Sequence, residues 1–107
     1  MATRDVTHWE TSICKVVSND DEEEIIVRGH KLSELIGSIT FADVMFLMLQ
    51  SRLPSDAERN VLDALLVASV EHGIAPPSMI ARCYASYGTS IQAAVAAGVG
   101  AFGDRMG

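Results

Sequence analysis

The residues of this chain that could do chemistry are few, and they gather toward its C-terminal half. Glu71-His72-Gly73 stands where the strongest helical pattern ends. An imidazole there faces the negative end of a helix, beside a backbone opened by Gly73 and the Pro76-Pro77 pair. Two uses compete for it: a C-capping histidine, or a hydrogen-bond donor to an anionic ligand in a cleft. Arg105, in Gly103-Asp104-Arg105-Met106-Gly107, offers a planar fork that fits a carboxylate. Its alternative is a surface arginine paired with Asp104. His8, in a polar arm, and His30, after a strand, read as surface residues.

Other patterns carry less. Gly98-Val99-Gly100-Ala101-Phe102-Gly103 satisfies G-x-G-x-x-G. A dinucleotide site needs a strand before the first glycine and a helix after the last. Here an alanine-rich helical pattern precedes it, so the expectation is a small-residue helix lying close against a neighbour. The acidic run Asp20 to Glu24 lacks calcium-loop spacing and the required glycine, and reads as a solvated turn. Cys14 and Cys83 have no metal-like spacing and do not resemble a disulfide scaffold. They are expected as reduced thiols in packed helix or strand positions. No metal site is expected.

The elements that must position these residues follow from the pattern. The chain has 107 residues, 49% of them hydrophobic and 21% charged, which suits one small globular domain. Eight Lys and Arg against fourteen Asp and Glu give a net charge of −6, which argues against a nucleic-acid partner. No apolar run approaches a membrane span and the N-terminus is not a secretory signal, so a reducing cytoplasm is expected. A hairpin is predicted over about 11–28, followed by helices over about 31–36, 40–50, 55–71, 77–87 and 90–102. Thr40 with Asp43, and Ser55 with Glu58, have capping-box spacing. Met45 and Met48 read as core filler. The fold class is mainly α, with a small N-terminal β-hairpin.

The order of several segments resembles the citryl-CoA lyases of the citrate synthase superfamily. Trp9-Glu10-Thr11-Ser12-Ile13, Ile26-Val27-Arg28-Gly29-His30-Lys31-Leu32, Leu35-Ile36-Gly37 and Phe41-Ala42-Asp43-Val44 come in the family's order. Ser51-Arg52-Leu53-Pro54-Ser55 resembles its R-L-P-S turn. Glu71-His72-Gly73-Ile74-Ala75-Pro76-Pro77-Ser78 resembles its (D/E)-H-G-x-x-P-P-S segment, and is the most specific piece. Gly103-Asp104-Arg105-Met106-Gly107 resembles the G-D-R-x-G loop of the citryl-CoA lyase module of ATP-citrate lyase. Citrate synthases place a histidine where Met106 stands, and a methionine cannot donate that hydrogen bond.

The resemblance implies the N-terminal portion of a citrate synthase-like all-α large domain, working as a homodimer. It implies cleavage of citryl-CoA to acetyl-CoA and oxaloacetate, or a related acyl transfer, with a CoA thioester as substrate and no tightly bound cofactor. His72 matches the family's first active-site histidine, which contacts the oxaloacetate or citryl portion. Arg105 falls in the loop that enters the active site. Residues 1–107 then form a partial domain cut at the active-site loop. The remaining catalytic residues and the CoA site would lie beyond it, leaving this chain inactive alone. The rival is a stand-alone helical dimerisation or interaction module derived from the family.

Overall fold

The computed structural model describes residues 10–105. They fall into two compact units that divide between Val67 and Ala68.

The first unit opens with a three-stranded antiparallel sheet in the order β1 (Cys14–Ser18), β2 (Glu23–Val27), β3 (His30–Lys31). Asn19 builds the first turn: its side-chain oxygen accepts from the N–H groups of Asp21 and Glu22 at 3.0 and 2.8 Å. The turn is shorter than expected, because Glu23 and Glu24 belong to β2. Glu24 then accepts from the hydroxyl and N–H of Ser33, and these bonds hold its carboxyl below the usual range.

β3 is an element the sequence reading does not contain. Gly29 forms a two-residue turn with Arg28 between β2 and β3. Both have positive φ, +47° and +85°, as the tight hairpin turns require. His30 is consequently half-buried in β3 rather than at the surface. The Arg28 guanidinium reaches away from the turn and donates to the carbonyl of Met48 through Nε at 3.2 Å and Nη2 at 2.9 Å. Nη1 donates to the Ser12 hydroxyl at 3.2 Å. One arginine thus ties the segment preceding β1 to a carbonyl that a helix C-terminus leaves unpaired.

That helix is α2 (Phe41–Gln50), which follows a single turn, α1 (Leu32–Leu35). The Thr40 hydroxyl accepts from Asp43 N–H at 3.1 Å, and the Asp43 carboxylate accepts from Thr40 N–H at 2.9 Å. This reciprocal cap is the one the Thr40–Asp43 spacing predicts. Leu35, Ala42 and Leu47 form the buried apolar centre of this unit. Met45 is half-buried, but Met48 is 40% exposed and does not fill a core. Cys14 is exposed on β1, and Cys83, in the second unit, is exposed on its helix; neither thiol is packed as expected.

α3 (Asp56–Ala68) begins with the second predicted cap: Ser55 N–H donates to Glu58 Oε1 at 2.9 Å and Glu58 N–H to the Ser55 hydroxyl at 3.2 Å. Arg52 grips the same carboxylate with two parallel bonds, at 2.9 and 2.6 Å, and its guanidinium lies 4.9 Å from the Phe46 ring centre. The fork from Arg52, with help from Ser55 N–H, draws the Glu58 carboxyl down to about 2 from a reference of 4.5. A carboxyl lowered on folding stabilises the fold above its unfolded value and loses that contribution as pH falls through the folded one. A carbon-13 titration of the Glu58 carboxyl should therefore show a midpoint near 2, moving up toward 4.5 in Arg52→Ala. A wild-type midpoint near 4.5 would remove the ion pair from solution. Arg59 adds a second link, 3.2 Å from Asp56 and 3.8 Å from Asp43.

The second unit is an antiparallel-type helix pair, α4 (Pro76–Ser86) and α5 (Ile91–Gly100), joined by residues 87–90. Pro76, not Pro77, is the first helical residue, where a missing N–H costs nothing. Gly88, at φ +80°, lets the chain leave α4, and Ser90 caps α5 by accepting from Ala93 N–H at 3.3 Å. Ala94 and Gly98 are buried one turn apart. A Cβ on Gly98 would stand 3.0 Å from the Pro77 carbonyl oxygen and 3.2 Å from Ala81 Cβ. The small residues of α5 are there so that α4 can approach, as the G-x-G-x-x-G segment was expected to do.

Candidate active site

His72 lies in the connection between α3 and α4. The periodic pattern suggests a helix to about residue 71, but α3 ends at Ala68. Val70 stays periodic in sequence yet is 80% exposed, so no burial extends the helix to it. His72 is therefore four positions beyond the helix end, not in its last turn. The electrostatic and capping readings tied to that last turn do not apply, since helix-end effects fade within one turn.

Hydrogen bonds between near neighbours in sequence shape the connection instead. The Glu71 carboxylate accepts from Gly73 N–H. Gly73 takes φ +72°, a conformation that side chains rarely adopt. The Ser78 hydroxyl, in the first turn of α4, accepts from Ala75 N–H at 2.9 Å. It also lies 3.0 Å from the Gly73 carbonyl oxygen and 2.9 Å from that of Ala75. Ala75 cannot cap a helix with its own side chain, and Ser78 supplies the missing partner from inside.

His72 is exposed and lines a cavity of about 290 Å³ together with Ala68, Ser69, Glu71 and Phe102. Phe102 follows the end of α5 by two residues, so the His72 loop and the chain leaving α5 share one wall. The sequence reading misses Phe102; its only signal is an aromatic residue directly after a small-residue helix. Arg105 is exposed in the bend after α5 and is not among the lining residues. The structure thus brings Phe102 to His72 and leaves Arg105 outside that cavity. Met106, the residue at issue in the G-D-R-x-G loop, and His8 lie outside the described residues.

An imidazole here can donate to, or accept from, a ligand oxygen. Glu71 brings negative charge beside it, and one of its oxygens is engaged by Gly73. A larger open groove in the first unit is lined by Phe46, Leu49, Val61, Leu62 and Leu65, with Glu58 at its side. Its one carboxylate is held by Arg52, so it offers surface rather than chemistry. Among the described residues no group of His, Cys, Asp and Glu is placed to hold a metal ion. Among the described residues no helix is long and apolar enough to cross a membrane.

No family model matches the sequence, and no curated protein does. Ten chains of solved structures match it. One is the citryl-CoA lyase from Hydrogenobacter thermophilus, 40% identical over 94% of this chain with a TM-score of 0.84. This chain spans 38% of that protein's length. The described residues thus have a mainly α fold, with a small N-terminal sheet, that matches part of a citrate synthase-like fold.

Proposed function

We propose that the chain belongs to the citryl-CoA lyases and contributes the N-terminal part of an enzyme that cleaves citryl-CoA to acetyl-CoA and oxaloacetate. The observation that carries this reading is 40% identity sustained over 94% of the chain. Identity at that level over an alignment of nearly the whole chain goes beyond a shared fold.

In that reaction the tertiary hydroxyl of the citryl unit loses its proton and becomes the ketone of oxaloacetate. The adjacent C–C bond breaks, and its electron pair passes to the acetyl-CoA methyl carbon as an enolate, which then takes a proton. His72 contacts the citryl or oxaloacetate portion as a hydrogen-bond donor, which favours oxygen that carries developing negative charge. Arg105 presents its fork to a substrate carboxylate. It does so from the loop after α5, outside the small His72 cavity. A CoA thioester is the substrate, with no tightly bound cofactor. The enzyme works as a cytoplasmic homodimer.

The chain spans 38% of its structural relative, so on this reading the remaining site residues come from the rest of a longer protein. On this reading it is silent alone and active as part of a longer protein. A coupled assay for oxaloacetate release from citryl-CoA, on the longest natural protein that contains this chain and on the 107-residue chain, tests it. Turnover by the long form alone is the expected result. No turnover by the long form would remove the lyase reading.

The second reading is a dimerisation or interaction module. Its support is the exposed apolar surface, including Leu49 at 72%, Val61 at 62% and Leu65 at 60%. The turnover assay on the long form separates the two: no turnover there, with a 107-residue chain that sediments as a stable dimer, favours the module.

A further inference from the structure

We propose that Glu71 and Ser78 are positioning residues that together fix the direction of His72, by holding both backbone polar groups of the next residue. The inference rests on the reading of His72 as a substrate contact. Gly73 follows His72, and its N–H and its C=O are taken from opposite sides. The Glu71 carboxylate receives the N–H, and the Ser78 hydroxyl lies 3.0 Å from the carbonyl oxygen.

The proton of that hydroxyl has two acceptors in reach, but Ala75 O already receives the helix bond from Met79 N–H at 2.9 Å. Gly73 O is the acceptor that gains from it. The hydroxyl oxygen meanwhile accepts from Ala75 N–H, so it spends both of its roles on this loop. Ser78 is anchored in α4, and Glu71 is fixed only by its own bond to Gly73. The loop is therefore tied to the helix at one end and to itself at the other.

The bond from Gly73 N–H to the Glu71 side chain closes a ring around His72 and restricts the φ and ψ from which its Cα–Cβ bond projects, while Gly73 at φ +72° turns its carbonyl toward Ser78. Neither Glu71 nor Ser78 needs to touch substrate for this. Misplacement of a reacting group by about 1 Å is enough to cost about a hundredfold in rate.

The test is steady-state kinetics of the longest natural protein containing this chain, with citryl-CoA as substrate. Ser78→Ala should lower kcat about tenfold with KM changed less than about threefold. Ser78→Thr keeps the hydroxyl and should restore kcat to within about threefold of wild type. Glu71→Ala should fall like Ser78→Ala, and Glu71→Gln, which keeps a carbonyl acceptor, should retain most of the rate. The combined Glu71→Ala, Ser78→Ala form should lose less than the product of the two, because both act through one peptide.

Wild-type kcat in Ser78→Ala and Glu71→Ala, with His72→Ala silent, would overturn the clamp and leave the lyase reading standing. Full turnover in His72→Ala would overturn the reading itself. Equal losses in Ser78→Thr and Ser78→Ala would show a packing role and also overturn the clamp. Amide exchange of Gly73 in the 107-residue chain gives a readout free of catalysis. Glu71→Ala should speed it at Gly73 relative to α4, and no change there would count against the proposal.

Discussion

Replacing His72 with alanine in the long form should lower citryl-CoA cleavage by about a hundred- to a thousandfold, the usual loss when one donor to a developing oxyanion is removed. The drop should fall in kcat and kcat/KM together. The donor matters most while the tertiary hydroxyl loses its proton and its oxygen carries negative charge on the way to the ketone, and less to the resting substrate. Arg105→Ala should behave differently. A fork on a carboxylate holds substrate and transition state alike, so its loss should appear chiefly in KM. A His72→Ala enzyme within threefold of wild type would take His72 out of the substrate site. The assay is again oxaloacetate release, with circular dichroism to show that the variant keeps its helices.

The second large effect is on stability. Gly98→Val should destabilise the α4–α5 unit by about 3 kcal/mol, the upper range for forcing extra carbons into a close-packed contact. A Cβ at this position already meets the Pro77 carbonyl oxygen at 3.0 Å and Ala81 Cβ at 3.2 Å. Backbone cannot rotate away as a side chain can, so the helices must part. Gly98→Ala sets two effects against each other. Alanine gains about 1 kcal/mol in a helix over glycine, and the overpacking costs about 1–3 kcal/mol. The net should be a loss of about 1 kcal/mol. Gly100→Ala is the control, because nothing lies within 4 Å of its would-be Cβ. It should gain stability or stay level. Denaturant unfolding followed by helix signal reads all three. A Gly98→Ala form that is more stable than wild type would mean that the helices are not held that close.

How much of this was legible in the residues depends on distance along the chain. Both capping boxes, Thr40 with Asp43 and Ser55 with Glu58, were readable because the partners sit three residues apart. Gly98 was readable as a close-approach glycine because the small residues of α5 recur on one face. The end of α3 was not. Apolar and periodic residues continue past Ala68, but Val70 is 80% exposed, so no burial rewards a longer helix. Nor was β3, because an arginine in a positive-φ turn has no compositional signal; only the following glycine does. Arg28 on Met48 and Arg52 on Phe46 and Glu58 are contacts between elements, and nothing local announces them. At the site, the resemblance picked out His72, while the geometry supplied Phe102 as its neighbour and Ser78 as its support. The elements that spacing can specify were thus legible, and the side-chain bridges between them were not.

The short connection between α4 and α5 has a kinetic consequence. Four residues, 87–90, separate the two helices, and every contact between them joins positions within one stretch of chain. Closing so small a loop takes well under a microsecond, and local pairings of this type belong to the fastest folding topologies. During synthesis at about 5–20 residues per second, the pair can dock within moments of α5 leaving the ribosome. The peptide that carries His72 runs directly into the first turn of α4. It would therefore acquire its support early, before any distant part of the protein has to find its place.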